Sequence, residues 1–233
     1  MSGAQFIGVV CGLKSEAYAI RQATTLSTLR IGVSGADAGR AEDIAREFCS
    51  DGAAVIVSFG VSGGLDPKLV PGDLLIGDRV IDQAGKVFSS HIELLKAVVS
   101  APFGAEMKTG ALFGSDEIIA SADQKAGIFQ NLNCLAVDME SHGAARAAVS
   151  AGVPFMAMRA IADPADRALP PAALGAVAPD GSTQVFKTLG AALRDPKQFP
   201  DLMKLGADSA AATKTLRRSA SVFFDALFAG LSF

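Results

Sequence analysis

The sequence predicts an α/β protein in which one sheet is flanked by helices. Short apolar runs of strand length recur over the first two thirds of the chain, and segments with helical spacing of apolar residues separate them. Strands that alternate with helices in this way are typical of an α/β sheet. Half of the 233 residues are apolar, so the chain can bury a sizeable core without disulfide bonds.

The predicted strands are runs of mostly apolar residues, as expected for strands buried on both faces. They cover residues 6–13, 29–33, 53–59, 74–81, 107–113, 134–137 and 154–162. The third strand leads into Gly60-Val61-Ser62-Gly63-Gly64, which we interpret as a glycine-rich turn. Glycine there permits either a tight turn or a close backbone approach to an anion or a sugar, and the residues alone favour neither. The segment has neither the Walker nor the GxGxxG pattern, so nothing supports binding of nucleoside triphosphates or dinucleotides.

The predicted helices carry apolar residues on one face. They cover residues 37–50, 89–101, 122–131 and 140–151. Residues 164–179 are rich in Ala, Pro and Gly and are predicted to be irregular, and two or three helices follow, broken at Pro196 and Pro200. We find no linker, so we predict a single domain over residues 1–233 with a C-terminal helical extension at about 180–233.

The last predicted helix, at 213–231, has a continuous apolar stripe and a basic start. The stripe consists of Leu216, Ala220, Phe223, Phe224, Leu227, Phe228 and Leu231. Such a stripe is more often core packing than a membrane element. Its phenylalanines, together with Lys214, Arg217 and Arg218, also fit a helix that lies in a lipid interface or lines an apolar groove.

Composition excludes several classes of protein. A formal charge of −3 and a pI near 5.4 argue against a general nucleic-acid binder. Cys11, Cys49 and Cys134 lack CxxC spacing and are expected to be free thiols in a reducing compartment. We see no signal peptide and no apolar stretch of membrane-spanning length, so a cytoplasmic location is expected. His91 and His142 are not paired at metal spacing, so we expect no metal site.

Acidic residues interrupt the apolar sequence at the ends of two predicted strands. Asp138 and Glu140 follow the strand at 134–137, and Asp163 follows the strand at 154–162. Ligands of open α/β sheets bind at the carboxyl ends of strands, so we expect these acids to contact a substrate. Two carboxylates suit the cleavage of a bond to a sugar, where one holds hydroxyl groups and the other acts on the leaving group.

Two more charged residues lie near these positions. Arg159 is embedded in an apolar strand, where a guanidinium needs a partner. An ion pair with Asp138 or Glu140 and the binding of an anionic or polar ligand both satisfy that need. Glu16 follows the first strand and, from the residues alone, is best interpreted as an acid at a helix N-terminus.

Several segments, in order along residues 6 to about 165, resemble one family. They are 7–16, Gly60-Val61-Ser62-Gly63-Gly64-Leu65 with Pro71-Gly72-Asp73, Ser115-Asp116, Val137-Asp138-Met139-Glu140 and Arg159-Ala160-Ile161-Ala162-Asp163. The family is that of the purine nucleoside phosphorylases and nucleosidases, which includes 5′-methylthioadenosine/S-adenosylhomocysteine nucleosidase. Residues 163–171 and the basic, apolar tail look most like its hopanoid-associated branch. Members of that branch are thought to remove adenine from adenosylhopane.

The resemblance implies a three-layer phosphorylase/hydrolase-like fold with a central mixed, partly closed sheet, assembled as a homo-oligomer. It implies that Asp163 protonates or hydrogen-bonds the purine at N7, and that Glu16 positions or deprotonates the attacking water. Glu140 would grip the ribose hydroxyls, and Met139 would pack against the sugar. Charge near a ribosyl cation helps most when that cation develops in the transition state. Asp163 would need partial burial to hold a proton at neutral pH.

The chain also departs from the family pattern. Val61 replaces the small hydroxyl residue, with Ser62 next to it, so Ser62 and Gly63 are the residues of this segment assigned to substrate binding. Ala162 stands where serine commonly supports the acid. Ile118, with Ile119 beside it, falls where an aromatic residue would stack on the purine, and both are assigned to the base.

The acceptor of the ribosyl group is water or phosphate. The phosphorylase-type loop is absent at residues 12–16, which favours water, although Lys14, Arg79 and Arg159 could form a cationic pocket. No cofactor is expected, with phosphate as the alternative co-substrate. We assign Arg159 to substrate binding on this basis.

Three functions follow from the sequence. The first is release of adenine from adenosylhopane, with peripheral contact of the C-terminal helix at the inner membrane face. The second keeps the chemistry but acts on soluble nucleosides such as 5′-methylthioadenosine and S-adenosylhomocysteine. The third is a non-catalytic nucleoside- or lipid-binding protein, which the departures at Ala162 and Ile118 would fit.

Overall fold

A computed structural model describes residues 6–25, 27–104, 106–174, 177–183 and 196–231. The described strands are β1 (Phe6–Cys11), β2 (Leu29–Val33), β3 (Ala53–Gly64), β4 (Leu74–Asp82), β5 (Val87–Ser89), β6 (Met107–Gly114), β7 (Cys134–Asp138) and β8 (Phe155–Asp163). The described helices are α1 (Lys14–Ala23), α2 (Ala38–Ser50), α3 (Ile92–Val99), α4 (Ala122–Leu132), α5 (Ser141–Ser150) and α6 (Phe199–Gly230).

The eight strands form one mixed sheet that partly closes on itself. The strand order is β2-β1-β3-β7-β6-β4-β5, and β8 pairs with both β3 and β4. Five strands, β3, β7, β6, β4 and β8, therefore form a closed ring of pairings. The predicted mixed, partly closed sheet with flanking helices is confirmed.

Helices cover the sheet and bury its strands from two directions. Along β1, Ile7, Val9 and Cys11 pack in a cluster with α1, α3 and α6, whereas Phe6 and Val10 pack in a second cluster with α2 and α5. Since side chains alternate between the faces of a strand, burial on both faces requires apolar residues at nearly every position. This is why these strands read as continuous apolar runs.

The glycine-rich segment after residue 59 is not a turn, so that interpretation was wrong. Residues 60–64 continue β3, and Gly60 to Gly63 pair in parallel with β8. Pairing with β8 at Gly60 to Gly63 and with β7 at Gly63 and Gly64 supplies backbone hydrogen bonds that hold this segment extended. The glycines instead allow side chains to lie close against the strand, as described below.

Other boundaries were also predicted incorrectly. The short strand β5 was missed, the extent of helix α1 was not predicted although Glu16 does lie at its N-terminus, and the helix predicted at 89–101 spans only Ile92–Val99. The helix predicted at 213–231 is the end of α6, which begins at Phe199. Pro200 does not break this helix, because it lies in the first turn, where a proline costs no intrahelical hydrogen bond. The part of the predicted helical extension at residues 184–195 lies outside the described residues.

The apolar stripe of α6 packs mainly in the core. Phe223, Phe224 and Leu227 are fully buried, and the Phe224 ring stacks on Phe59 with 5.8 Å between centroids. Only Phe228 in this group is substantially exposed, at 37%. The preferred interpretation of the stripe is therefore confirmed for most of its residues. Among the described helices, none is long and apolar enough to cross a membrane.

Candidate active site

The ends of three strands meet at Gly63. In the sheet register, this residue of β3 lies beside Val137 of β7 on one side and beside Asp163 of β8 on the other. Glu140 lies two residues past the end of β7 and occupies the N-cap position of α5. The strand pairing therefore brings the two predicted acid-bearing strand ends to the two sides of one residue.

Glu16, in the first turn of α1, is held in place by three backbone N–H groups. Its Oε2 accepts hydrogen bonds from Gly12 and Leu13, both at 2.9 Å, and its Oε1 accepts one of 2.8 Å from Val61. Burial raises the pKa of Glu16, although these hydrogen bonds and the Arg159 charge oppose the rise. The carboxylate is thus rigidly oriented between the ends of β1 and β3, and it takes up a proton more readily than an exposed glutamate.

Glu140 and Asp138 flank the buried guanidinium of Arg159. Nε of Arg159 lies 3.1 Å from Oδ2 of Asp138, and its second terminal nitrogen lies 3.5 Å from Oε2 of Glu140. The side chain of Arg159 is only 1% exposed, so its charge is compensated inside the protein. The ion pair weighed from the sequence is therefore present with both acids. Ser58 and Ser141 also accept hydrogen bonds from Arg159, at 2.6 and 2.9 Å.

The two acids respond differently to this environment. Burial would raise the pKa of Asp138, but Arg159 and the N–H groups of Glu140 and Ser141 hold it below its usual range. Burial raises the pKa of Glu140 to about 8, and the nearby Asp138 and Glu16 add to this rise while Arg159 opposes it. Asp138 is therefore the charged partner of Arg159, whereas Glu140 can exchange a proton near neutral pH.

Asp163, the last residue of β8, is paired with Lys125 of α4. The Lys125 ammonium donates to Oδ2 of Asp163, and it also donates to the carbonyl oxygens of Pro164 and Arg167 at 2.9 and 3.0 Å. Burial raises the pKa of Asp163, and the Lys125 charge opposes that rise. The expected burial of Asp163 is observed, at 8% exposure.

Lys125 was missed by sequence reasoning. It is fully buried, whereas every other residue of α4 is exposed or partly buried, so the helix pattern did not point to it. The sequence carries one weak signal, the absence of a hydrogen-bonding side chain at Ala162, which implied that Asp163 lacks its usual support. That signal does not say where along the chain another support would come from.

A cavity of about 820 Å³ opens beside Asp163. On the sheet side it is lined by Leu13, Val61, Ala162 and Asp163, and on the opposite side by a long stretch of α6 that includes Phe199 and Met203 among many apolar residues. Phe199 and Met203 are 50% and 62% exposed. The volume falls in the range of small-molecule binding sites.

The other predicted site residues lie outside the cavity lining and differ in how far they are buried. Ser62 is buried, and its hydroxyl has no hydrogen-bond partner among the described residues. Met139 is half-buried. Ile118 is 43% exposed, and Ile119 packs partly on a small cluster that includes Val137. In the described part of the chain, only Asp163 of the predicted site residues lines the cavity itself.

The three cations weighed for a phosphate pocket are each engaged elsewhere. Lys14 pairs with Asp180 at 2.5 Å on the exposed surface, and Arg79 pairs with Asp78 at 3.1 Å. Arg159 faces Asp138 and Glu140, with Glu16 nearby. The ionised Asp138 already balances its charge, so Arg159 offers little attraction to a phosphate dianion.

Comparison with known proteins gives three findings. A family model described as the phosphorylase superfamily matches residues 14–194. A 5′-methylthioadenosine/S-adenosylhomocysteine nucleosidase of Staphylococcus aureus strain JH9 is 30% identical over an alignment of 128 residues that covers 47% of this chain and 56% of that protein. The match thus spans only about half the length of this curated relative.

Two solved structures from Helicobacter pylori share the fold. One is a mutant 5′-methylthioadenosine/S-adenosylhomocysteine nucleosidase with 5′-methylthioadenosine in the active site, with a TM-score of 0.69 and 15% identity over 97% of this chain and 99% of that one. The other is native futalosine hydrolase, with a TM-score of 0.71 and 16% identity over 97% of each chain. At these identities the likeness concerns the fold.

Proposed function

This chain belongs to the phosphorylase superfamily, and from that premise we propose that it hydrolyses the N-glycosidic bond of an adenine nucleoside and releases adenine. The observation that carries the proposal is the meeting of two acid-bearing strand ends beside Gly63, with Asp163 facing a cavity. In this proposal Asp163 acts on the base and Glu140 on the sugar.

The proposed reaction needs one proton donor and one proton acceptor. As the bond between C1′ and N9 breaks, its electron pair passes to adenine, and Asp163 gives a proton to N7. Water bonds to C1′, and Glu16 takes the proton that this water loses. The raised pKa values of Asp163 and Glu16 suit these roles, because a protonated acid and a receptive base are both required near neutral pH.

Water rather than phosphate is the proposed acceptor. The charge of Arg159 is already balanced by the ionised Asp138, so it offers little attraction to a phosphate. Glu16, and Glu140 once it loses its proton, can stabilise a ribosyl cation as it forms. The roles proposed for Ser62 and Met139 follow from position, since both adjoin strand ends that carry the acids.

The proposed substrate is an adenosine with a large apolar group on its 5′ carbon, with adenosylhopane as the specific candidate. The cavity beside Asp163 is larger than adenine and ribose require, and its far wall is the largely apolar side of α6. A soluble thioadenosine is the second candidate, because the nucleosidase relatives carry that name. A binding protein without activity is the third.

The exposed start of α6 supports a peripheral contact with membrane as part of the lipid-linked alternative. Phe199 and Met203 present apolar surface there, and Lys204 is exposed beside them. Homo-oligomer assembly, which the family resemblance implies, and a cytoplasmic location, which the sequence features favour, are further parts of the proposal. Sedimentation with anionic vesicles tests the membrane contact. Size-exclusion chromatography with light scattering tests the oligomeric state.

Release of adenine tests the proposal directly. Purified protein is incubated with adenosylhopane or with 5′-methylthioadenosine, with and without phosphate, and free adenine is measured by chromatography. We expect adenine in both buffers, with no dependence on phosphate and faster release from the lipid-linked nucleoside. Strict dependence on phosphate would show that the protein is a phosphorylase. If neither substrate releases adenine, the non-catalytic binding protein is the remaining candidate.

A cavity-wall variant separates the two substrate candidates. Met203→Gln places an amide on the apolar wall, which should raise KM for adenosylhopane and leave 5′-methylthioadenosine turnover unchanged. Ile92→Gln is a matched control, because Ile92 is similarly exposed, at 57%, and lies outside the cavity lining. Equal effects of both variants on adenosylhopane would argue against this wall as the lipid site.

A further inference from the structure

We infer that Lys125 is the positioning residue of Asp163: it holds one carboxylate oxygen and leaves the other to face the base. The inference rests on the proposed function, since it assigns a partner to the acid proposed there. The two residues lie 38 positions apart, on α4 and at the end of β8. Lys125 would act through Asp163 and would not contact the substrate.

The geometry of Lys125 is that of a fixed group. Its ammonium has three N–H donors, and the three acceptors found for them are Oδ2 of Asp163 and the carbonyl oxygens of Pro164 and Arg167. Its side chain has no exposed surface. Burial of an ammonium is unfavourable unless it is paired and hydrogen-bonded, so this full set of partners holds the group in one place.

Asp163 is confined from two directions. A methyl group at Gly63 would lie 3.3 Å from both Asp163 oxygens, so the carboxyl group packs directly against the glycine of β3. Lys125 binds one of these oxygens from the other element. Ala162, the preceding residue, has no side-chain donor, so on β8 itself this neighbour gives the carboxyl group no support. Together the two contacts fix the plane of the Asp163 carboxyl group. Lys125 binds Oδ2, which leaves Oδ1 free of this hydrogen bond.

The charges around Asp163 give Lys125 a second effect. Arg167 and Asp208 also face Asp163, but they form an ion pair with each other. Lys125 is therefore the main uncompensated cation beside the acid in the described structure. Burial raises the pKa of Asp163 and Lys125 lowers it, so the lysine keeps the acid strong enough to give up its proton to the base.

The test uses variants with and without the charge. Lys125→Met and Lys125→Gln both remove the charge. Glutamine keeps two N–H donors for the carbonyl oxygens, so the Gln variant replaces the Met variant if that one does not fold. Lys125→Arg retains the charge. Lys68→Met, at an exposed lysine between β3 and β4, is the matched control. The kcat for adenine release is measured from pH 5 to 10 for each folded variant.

The proposed acid must be protonated, so kcat falls as pH rises through the pKa of Asp163. Without the lysine charge this fall should move up by about one pH unit or more, and the maximum kcat should drop about tenfold or more with KM little changed. Lys125→Arg should keep the fall near its original pH. A purely structural lysine would change melting temperature and leave the pH of the fall unchanged.

A double variant distinguishes failure of this inference from failure of the proposed function. If Lys125 acts through Asp163, adding Lys125→Gln to Asp163→Asn should cause no further loss of kcat. Full activity of Asp163→Asn alone would overturn the proposed function. Loss of activity in Asp163→Asn, with an unmoved pH profile and normal kcat in folded Lys125→Gln, would overturn the inference about Lys125.

Discussion

The carboxylate of Glu16 lies against the backbone of Gly60. A methyl group added to Gly60 would fall 2.6 Å from Oε1 of Glu16 and 2.8 Å from its carboxyl carbon. A similar relationship holds between Gly12 and the carboxylate of Glu140, which a methyl at residue 12 would overlap. The absence of a side chain at Gly60 and at Gly12 therefore makes room for the carboxylates of Glu16 and Glu140.

Gly60→Ala should reduce adenine release by about 100-fold or more, because the new methyl group displaces the Glu16 carboxylate from its three N–H donors. Crowding should also cost about 1–3 kcal/mol of unfolding free energy. Steady-state kinetics and urea unfolding give the two values. Gly127→Ala is the control: no atom lies within 4 Å of the added methyl in α4, so activity should be unchanged and stability slightly increased.

Asp163→Asn should lower kcat for adenine release by about 10²–10⁴-fold, since an amide cannot give a proton to N7. Asparagine has the same shape and Lys125 can still donate to its oxygen, but the buried ammonium loses its counter-charge, so kcat is compared only after circular dichroism shows that the variant is folded. Asp166→Asn, at an exposed position three residues away, should have no effect. Normal turnover by a well-folded Asp163→Asn protein would remove Asp163 from the mechanism.

Glu140→Gln should make the protein less sensitive to pH. A folded-state pKa of about 8 lies above that of an unfolded glutamate, so the folded state binds this proton more tightly. The resulting stability is complete below about pH 4 and is lost as pH rises through about 8. Between pH 6 and 9 the parent protein should lose about 1 kcal/mol or more of unfolding free energy.

Urea unfolding at the two pH values checks this, and Glu140→Gln should lose less than the parent. Glu117→Gln, at an exposed position, should behave like the parent. The same proton should weaken nucleoside binding, because Glu140 is proposed to hold the ribose hydroxyls as a carboxylate. KM should therefore fall as pH rises towards 9. Identical pH slopes for parent and Glu140→Gln would show that Glu140 does not carry the effect.

Phe223→Ala should destabilise the protein by about 3–5 kcal/mol, because this ring is fully buried against Phe224. Phe228→Ala should cost clearly less, since that side chain is partly exposed. Unfolding in urea measures both. Equal, small costs would mean that the α6 stripe is not core and would revive a lipid-facing role for these rings.

The sequence was most informative about local structure. Seven of the eight described strands were predicted, with errors of a few residues except at β3. A strand buried on both faces needs apolar residues at nearly every position, so it appears in the sequence as a continuous apolar run. The strand β5 gave no comparable pattern, and of the helix α1 only its N-terminal acid, Glu16, was recognised. The segment 60–64 was misread because glycine is as compatible with a turn as with a strand that must accommodate bulky neighbours.

By itself the sequence determined that the protein alternates strands and helices and that Glu140 and Asp163 lie where strands end, because hydrophobic period and interrupted apolar runs are local properties. Only the tertiary structure decided the closure of the sheet through β8, the cluster around Arg159, the partner of Asp163 and the cavity under α6. Each of these joins residues far apart in the chain, and packing, which no local pattern records, brings them together.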